Sequence, residues 1–277
     1  MFFWMTMDDK IITPPDALTS AESFSYSPYK GFERREIKDS EALDDLKLLE
    51  QYTKKIRVYS SEDAKKVLDI IKENSLDLKV DVGAWVSANK EATQKELDLL
   101  YWLLHTHKEY ISSIIVGNES MLRNDVNSDE LIEYIKQIQE ATDIPVTTAE
   151  TWYTWIEYPE LAKEVDFLNI HILPYWEYVS IDSFKDFAID KHNRIKESFP
   201  DKDIVIGEFG WPSQGYNNKD AIASPQNQAV AIRNFIITAN EQGWKYNIVE
   251  AFDQPWKGSD EGSVGPYWGV FDADRNP

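Results

Sequence analysis

The order of apolar segments predicts an α/β protein of the (β/α)8 TIM-barrel class, built as a single domain over residues 21–277. Eight short β-prone segments alternate with seven amphipathic helical segments, and such alternation is typical of a parallel sheet covered by helices. The chain has 277 residues, and a barrel of this class takes about 250. No linker, low-complexity block or repeated sequence interrupts the alternation, which favours one domain.

An open, doubly wound sheet is the alternative fold for an alternating chain. Proteins of that class carry a glycine-rich phosphate-binding loop after the first strand, and no such loop follows the first predicted strand here. Residues 1–20 precede the barrel and are predicted to form an irregular N-terminal arm, because Pro14 and Pro15 are incompatible with a helix.

The predicted strands are short runs of β-branched and aromatic residues that end at turn-forming residues. Residues 204–206 are apolar without interruption, which is typical of a parallel strand buried on both faces. Gly83 lies inside the third strand and indicates a bulge. The strands are predicted at residues 24–29, 56–59, 78–86, 114–119, 145–150, 167–175, 204–208 and 246–253.

The predicted helices repeat apolar residues at intervals of three and four. Ser40, Ser61 and Ser128 are predicted to cap the first, second and fourth of them, and Gly243 is predicted to end the last. The helices are predicted near residues 40–52, 61–71, 93–110, 128–138, 158–165, 181–199 and 225–242.

The composition is acidic, with 49 Asp and Glu against 29 Lys and Arg and a net charge of −20 at pH 7. We therefore expect no nucleic-acid partner and no attraction to an anionic membrane, because both depend on basic surfaces. The absence of cysteine excludes disulfides, thiolate metal sites and cysteine nucleophiles. His105 and His107 lie two residues apart on a helix and hence on different faces, so we expect neither a metal nor a cofactor.

The first five residues (MFFWM) are apolar but too few for a signal sequence or a membrane span. We expect the chain to be a fragment whose targeting segment was removed, and we expect the protein to work in the extracellular or periplasmic space.

Two glutamates follow apolar strand segments in the same way. Glu208 follows residues 204–207 (IVIG), and Glu119 follows residues 114–118 (IIVGN), 208 − 119 = 89 residues earlier. This interval corresponds to three strand–helix units of about 30 residues, so both carboxyl groups are expected at the carboxyl end of the barrel. A retaining glycosidase needs two carboxyl groups about 5–5.5 Å apart, whereas a separation near 9 Å indicates inversion. The alternative is a structural glutamate paired to an arginine.

Further polar residues lie at the predicted carboxyl ends of strands, where such barrels bind substrates. Arg57 is expected to keep a neighbouring carboxylate ionised, and Tyr175 to hydrogen-bond the nucleophile. The acid of the glutamate pair is expected to stay protonated near neutral pH through burial beside the other carboxylate. Structural hydrogen bonding is the alternative for several of these residues. The candidate substrate-binding residues are Tyr26, Arg57, Asn118, Glu150, His171, Tyr175 and Glu250.

Tryptophan is abundant, with ten residues in the chain. Trp176, Trp211 and Trp256 lie just beyond predicted strand ends, where the following loops surround the cleft of a barrel. Flat aromatic rings in such positions stack on sugar faces, so these three residues are also predicted to bind substrate. Ordinary core packing is the alternative.

Two segments carry a resemblance to a known family. Residues 116–119 (VGNE) and 207–213 (GEFGWPS) are similar to the signature segments of glycoside hydrolase family 17, the β-1,3-glucanases. The resemblance covers all eight predicted strands. It implies that Glu119 is the general acid/base, that Glu208 is the nucleophile, and that Asn118 contacts the 2-hydroxyl of the sugar in the −1 subsite. The positions matching the family's strand-six tyrosine beside the nucleophile and its strand-two arginine are Tyr175 and Arg57.

The segment at strand eight departs from the plant enzymes of this family. Residues 249–257 (VEAFDQPWK) and 171–177 (HILPYWE) resemble its bacterial branch, which includes β-1,3-glucanosyltransferase domains of larger membrane proteins. The first hypothesis is a retaining hydrolase of laminarin-type β-1,3-glucan. The alternatives are a glucanosyltransferase that uses the same covalent intermediate, and a non-catalytic β-glucan-binding barrel. We expect a bacterial, monomeric protein with a β-glucan partner and no membrane contact of its own.

Overall fold

A computed structural model describes residues 21–259 and 261–276, so the predicted arm of residues 1–20 lies outside the described residues. The described strands are Phe24–Ser25 (β1), Tyr29–Lys30 (β2), Arg35–Glu36 (β3), Lys55–Val58 (β4), Lys79–Ala84 (β5), Ile111–Asn118 (β6), Val146–Thr151 (β7), Leu168–His171 (β8), Ile204–Phe209 (β9) and Lys245–Ile248 (β10). Parallel pairing closes eight of these described strands into a barrel in the order β1-β10-β9-β8-β7-β6-β5-β4, with β4 beside β1, whereas β2 and β3 pair only with each other. This topology confirms the predicted (β/α)8 barrel and excludes the open sheet.

The helices lie between the strands, and several of them begin at a short polar side chain that caps the first turn. Ser60 and Asn127 accept the backbone N–H of the third residue after them, and Gly243, with a φ of +67°, ends the last helix as predicted. The predicted caps Ser40, Ser61 and Ser128 lie inside the first helical turn instead. The described helices are Asp39–Leu49 (α1), Ser61–Asn74 (α2), Lys90–Thr106 (α3), Ser128–Ala141 (α4), Trp152–Glu157 (α5), Leu161–Glu164 (α6), Phe184–Ser198 (α7) and Pro225–Gln242 (α8).

The first predicted strand, residues 24–29, is shorter in the structure. β1 ends at Ser25, and the chain then forms an antiparallel hairpin of β2 with β3 before it enters α1. Pro28 lacks the N–H that a continued ladder requires, and Gly31, with a φ of +74°, begins the reversal of the hairpin. The hairpin therefore stands at the carboxyl end of β1, among the loops of the barrel mouth.

Two glycines bring neighbouring strands close enough to build the barrel mouth. A Cβ at Gly83 would lie 2.6 Å from backbone atoms of Tyr59. The bulge predicted at Gly83 is not found there, because the register shift of β5 against β6 lies near the start of β5. A Cβ at Gly207 would lie 1.6 Å from Asn169 Oδ1 and 3.0 Å from Arg57 Nη1. A larger residue at Gly83 would displace the backbone of Tyr59, and one at Gly207 would displace the side chains of Asn169 and Arg57.

The apolar faces of the helices cover the barrel as their spacing predicts. In α4, for example, Leu131, Ile135 and Ile138 are buried against the strands. Within the described part of the chain, none of the helices combines the length and the apolar character that crossing a membrane requires.

Candidate active site

Glu119 and Glu208 lie side by side at the carboxyl end of the barrel. Glu119 directly follows β6, and Glu208 lies near the end of β9. A carboxylate oxygen of Glu119 lies within 4.8 Å of one of Glu208, close to the about 5–5.5 Å that a retaining mechanism needs. Gly117 and Glu119 have positive φ angles, +83° and +52°, so the chain turns sharply as it leaves β6.

Glu208 is nearly buried, with 8% of its surface exposed, and Arg57 compensates its charge. Arg57 Nη1 lies 3.6 Å from Glu208 Oε1. The same guanidinium donates to the carbonyl of Gly207 and to Asn118 Oδ1, both at 2.6 Å. The buried guanidinium of Arg57 thus binds Asn118, which precedes Glu119, and Gly207, which precedes Glu208. These hydrogen bonds connect β4 to β6 and β9.

Tyr59 was not predicted to belong to the site, yet it hydrogen-bonds the carboxylate of Glu208. Its hydroxyl donates to Glu208 Oε1 at 2.9 Å and lies 2.8 Å from Ser25 Oγ. Burial and the charge of Glu208 raise the pKa of Tyr59 well above its usual value, so the hydroxyl remains a donor. A signal for it was present in the sequence, because Tyr59 lies two residues after Arg57 and alternate residues of a strand share a face.

Tyr175, predicted to hydrogen-bond the nucleophile, makes its hydrogen bond elsewhere. Its hydroxyl donates to the backbone carbonyl of Tyr216, and its ring packs edge-on against Trp176 and Trp211. The physical reason is that β8 ends at His171, four residues earlier than predicted, and that residues 174–178 form a turn instead of continuing the strand. The hydrogen bond to Glu208 that was predicted for Tyr175 is made by Tyr59.

His171 lies between the two glutamates. Its Nδ1 is 2.7 Å from Glu119 Oε1, and its Nε2 is 3.3 Å from Arg57 Nη1 and 3.5 Å from Glu208 Oε1. A guanidinium group only donates hydrogen bonds, so its contact makes Nε2 the acceptor and assigns the ring proton to Nδ1. His171 then donates to Glu119 while Arg57 fixes the plane of the ring.

Burial and the neighbouring groups act in opposite directions on the pKa of Glu119. Burial raises its pKa, but the hydrogen bond from His171 and the surrounding charges, including Arg123 and Arg57, lower it, and the resulting pKa lies below the usual value. The expectation that this glutamate stays protonated near neutral pH is therefore not met in the structure. An ionised Glu119 is suited to act as a base, and it gains its proton for the acid role more readily at acidic pH.

Replacement of His171 is expected to change the pH dependence of catalysis. In His171→Phe the hydrogen bond that lowers the Glu119 pKa is lost, so this pKa rises and Glu119 keeps its proton to higher pH. The basic limb of kcat/KM against pH should then move to higher pH, and His171→Asn should shift it less, because an amide retains a donor near Nδ1.

The control for this experiment is His192→Asn, since His192 stacks on Trp244 and belongs to α7 on the outside of the barrel. The pH profile of His192→Asn should be the same as that of the wild type. A basic limb that does not move in His171→Phe would contradict the role of His171 in tuning Glu119.

Glu150 and Glu250 are fully buried and support loops. Glu150 Oε1 accepts the N–H of Met121, in the loop after β6, at 2.9 Å. Glu250 Oε2 accepts from Gln254 Nε2 at 2.6 Å and from Lys257 Nζ at 2.8 Å. Burial raises the pKa of each carboxyl to about 7. Their placement favours the structural alternative over the predicted contact with sugar.

Lys257 is a second residue of the site that the predictions did not include. Burial lowers its pKa, but the charges of Glu250, Glu261 and Glu208 outweigh this effect and raise the pKa above its usual value, so the ammonium stays charged. Lys257 thus adds a cation on the Glu208 side of the pair. Its signal in the sequence was weak, because one lysine in a loop is usually solvated.

The remaining predicted residues divide between rim and core. Trp176 and Trp256 are half-buried beside the strand ends. Trp211 is fully buried, and its Nε1 donates to a backbone carbonyl at 2.9 Å. Tyr26 is buried too, and its hydroxyl donates to Asp45 Oδ2 of α1 at 3.2 Å, in the layer between barrel and helix. Neither Trp211 nor Tyr26 therefore presents an exposed ring face to the carboxylate pair.

Tryptophan substitutions should separate these two environments. Trp211→Ala is expected to lower the free energy of unfolding by about 3–5 kcal/mol, because it removes a fully buried ring. Trp176→Ala and Trp256→Ala are expected to weaken binding of laminari-oligosaccharides by up to roughly tenfold, the size of one aromatic contact, with little change in stability. Urea unfolding and titration calorimetry measure the two quantities.

The matched control is Trp102→Ala, which removes an exposed ring from α3, with 43% of its surface accessible. It should leave oligosaccharide affinity unchanged. If the variants at Trp176 and Trp256 both unfold the protein and leave residual affinity intact, the interpretation of these rings as a sugar-binding rim is contradicted.

Three donor atoms of the site lie close enough for a metal ion by distance alone. Glu119, His171 and Glu208 each contribute one atom, and these atoms lie within 4.8 Å of one another. Arg57 Nη1, however, lies 3.3 Å from the histidine ring and 3.6 Å from the Glu208 carboxylate. A divalent cation at this point would be repelled by the buried guanidinium, which already supplies the positive charge.

Two carboxyl groups at this separation, on the carboxyl face of a (β/α)8 barrel, define a site of the retaining-glycosidase class. The family follows from the match of residues 23–269 to the model of the BtgE/BtgC glycoside hydrolase domain. The chain belongs to this family, which agrees with the resemblance to glycoside hydrolase family 17.

Similar curated proteins come from fungi. The glucan endo-1,3-beta-glucosidase btgC of Emericella nidulans is 27% identical over 263 residues, which cover 84% of this chain and 40% of that protein. The glucan 1,3-beta-glucosidase of Schizosaccharomyces pombe is 25% identical over 250 residues, covering 84% of this chain and 78% of that protein. The chain thus spans less than half of the btgC relative, and these proteins lend no support to the predicted bacterial branch.

Solved structures show the same architecture. An active-site mutant of the Rhizomucor miehei beta-1,3-glucanosyltransferase, in complex with laminaritriose, has a TM-score of 0.83 and 26% identity, with 92% of this chain and 94% of that chain covered. The endo-laminarinase from Formosa Hel1_33_131 has a TM-score of 0.82 and 20% identity, with 94% and 85% covered, and shares the fold.

Proposed function

We propose that this chain is a retaining glycosidase of laminarin-type β-1,3-glucan that works by double displacement. The observation that carries the proposal is the approach of the Glu119 and Glu208 carboxylates to within 4.8 Å at the barrel mouth, the spacing of a retaining pair. The named activities of the relatives from Emericella nidulans and Schizosaccharomyces pombe supply the substrate class.

In the first step Glu208 acts as the nucleophile. Tyr59 and Arg57 hold its Oε1, so we assign the attack on the anomeric carbon to Oε2. Protonated Glu119 gives its proton to the glycosidic oxygen as the bond between that oxygen and the anomeric carbon breaks. The products of this step are a sugar esterified to Glu208 and a free hydroxyl on the leaving chain.

In the second step Glu119 acts as the base. It removes a proton from water, whose oxygen attacks the anomeric carbon and displaces Glu208. The hydrogen bond from His171, which favours the ionised form of Glu119, supports this role. Two inversions at the same carbon give a product with the β-configuration of the substrate.

Proton NMR of laminarin cleavage tests this function directly. The first detectable product should be the β-anomer, and the α-anomer should grow only at the rate of spontaneous mutarotation. An α-anomer that forms first would indicate inversion and would overturn the assignment of Glu208 as nucleophile. Absence of any cleavage would favour the non-catalytic glucan-binding barrel, against which the intact pair of glutamates argues.

A second candidate function is glucanosyl transfer, and the structural similarity to the Rhizomucor miehei beta-1,3-glucanosyltransferase favours it. The same intermediate would then be attacked by a sugar hydroxyl instead of water. Mass spectrometry after incubation with laminari-oligosaccharides distinguishes the two, because products longer than the substrate arise only by transfer. Products that are exclusively shorter would support hydrolysis.

We further infer that the protein acts as a monomer in the extracellular or periplasmic space, where a β-glucan polymer is accessible. Light scattering tests the monomer. The bacterial origin stays a prediction, since it rested only on the resemblance of residues 171–177 and 249–257.

A further inference from the structure

The β2–β3 hairpin presents an unusually exposed aromatic side chain at the mouth of the barrel. Phe32, at the turn, has 85% of its surface exposed. The turn also holds Arg34 in the left-handed region, with a φ of +49°, a conformation that costs energy for a residue other than glycine.

Arg34 connects the hairpin to the loop after β10. Its guanidinium carbon lies 4.5 Å from the ring centroid of Tyr29 and 4.6 Å from that of Trp256. The two rings also meet edge to face, with centroids 6.3 Å apart. Tyr29 in turn donates to Asp63 Oδ1 of α2 at 2.8 Å. The cation therefore fixes Trp256 against a hairpin that is itself tied to the body of the barrel.

The direction of a bound glucan across the barrel mouth follows from the catalytic pair. The general acid protonates the leaving oxygen, so the leaving part of the chain lies on the Glu119 side. The transferred part lies on the opposite side. Glu119 follows β6, and β10 is four strands from β6 in either direction around the barrel, with β1 beside it. The transferred part therefore points toward the loops that carry Trp256 and the hairpin.

We propose that Trp256, Arg34 and Phe32 form a distal donor subsite, which binds β-1,3-linked glucose units beyond the one that reacts with Glu208. This inference rests on the proposed function and adds the element that recognises the length of the transferred chain. The aromatic faces stack on pyranose rings, and the N–H groups of Arg34 donate to sugar hydroxyls.

Aryl β-laminari-oligosides with one to four glucose units test the subsite, because the leaving group is constant and only the donor chain grows. With the wild type, kcat/KM should rise as units are added. Phe32→Ala and Arg34→Gln should each reduce the gain from the third and fourth units by about two- to tenfold, the range of one aromatic contact. The conservative variant Phe32→Tyr should keep most of the rise in kcat/KM that the third and fourth units give.

Trp102→Ala is the matched control, since it also removes an exposed ring but from α3, and it should show the wild-type dependence on length. A length dependence that is the same in Phe32→Ala, Arg34→Gln and the wild type would overturn the subsite. An equal loss at every length, including one unit, would also overturn it, because the effect would then belong to the catalytic centre. A wild type that cleaves no substrate would contradict the proposed function instead.

Thermal unfolding of each variant shows whether a change in kcat/KM comes from a loss of stability. Phe32 is exposed, so its removal should leave the melting temperature near that of the wild type. If Arg34→Gln loosens the hairpin, Phe32→Ala alone decides the outcome.

Discussion

Glu208→Gln is expected to lower the rate of laminarin cleavage by roughly ten-thousandfold or more, the order of loss when a covalent nucleophile is removed. The amide has nearly the shape of the carboxylate but cannot form the glycosyl ester. Arg57 keeps its hydrogen bonds to Gly207 and Asn118, so the barrel should stay folded. Reducing-sugar release and circular dichroism measure activity and fold.

The control for Glu208→Gln is Glu22→Gln. Glu22 is a partly buried carboxylate that accepts the N–H of Tyr246 at 3.2 Å, at the start of β10 and away from the barrel mouth. The variant should retain activity near that of the wild type. If Glu208→Gln also retained most of its activity, Glu208 would not be the nucleophile and the mechanism would fail.

Glu208→Ala offers a second readout of the same role. Azide is small enough to occupy the space left by the carboxylate and to attack the anomeric carbon directly. One displacement inverts the configuration, so an activated β-glucoside should give an α-glycosyl azide. A β-glycosyl azide from this variant would place the nucleophile elsewhere.

The fold was predictable because its signals are local. The strands around Glu119 and Glu208 are uninterrupted apolar runs, and their positions agree with the structure to within a few residues. The path after β1 was not predictable in the same way, because the alternating pattern of residues 24–29 continues through Pro28 although the ladder does not. A hairpin that packs on Trp256 depends on a contact more than 200 residues away in sequence.

The site was predictable at the carboxyl ends of the strands, and less so further along the loops. Glu119, Glu208, Arg57 and Asn118 lie in the last residues of a strand or directly after it, and they meet in the structure. Tyr175 lies four residues past the end of β8, and nothing local specifies where a loop carries its side chains. Contacts between strands that are not neighbours, such as those of His171, depend on the closure of the barrel.

Burial explains why two further glutamates were difficult to assign. Glu150 and Glu250 lie at strand ends, like the proposed catalytic pair of Glu119 and Glu208, yet each is fully enclosed. A carboxylate at a strand end accepts hydrogen bonds either from substrate or from the loop that folds over it. The choice depends on loop packing, as the bond from the Met121 N–H to Glu150 shows.

Glu119→Ala is expected to lower cleavage of natural β-1,3-glucan by about a hundred- to ten-thousandfold, the contribution of general acid–base catalysis. A sugar hydroxyl is a poor leaving group and needs the proton of Glu119. An aryl glycoside with an acidic phenol does not, so its first step should be nearly unaffected and the glycosyl-enzyme should accumulate. A burst of released phenol, measured by stopped-flow absorbance, would record that accumulation.

Azide should then accelerate turnover of Glu119→Ala on the aryl glycoside, because it needs no base to attack the accumulated intermediate. Glu208 has already inverted the carbon once, so the product should be a β-glycosyl azide, opposite in configuration to that from Glu208→Ala. The two anomers, assigned by proton NMR, therefore distinguish the base from the nucleophile within one pair of variants. Laminarin cleavage at the wild-type rate by Glu119→Ala would remove this residue from the reaction, and an α-glycosyl azide from it would exchange the two roles.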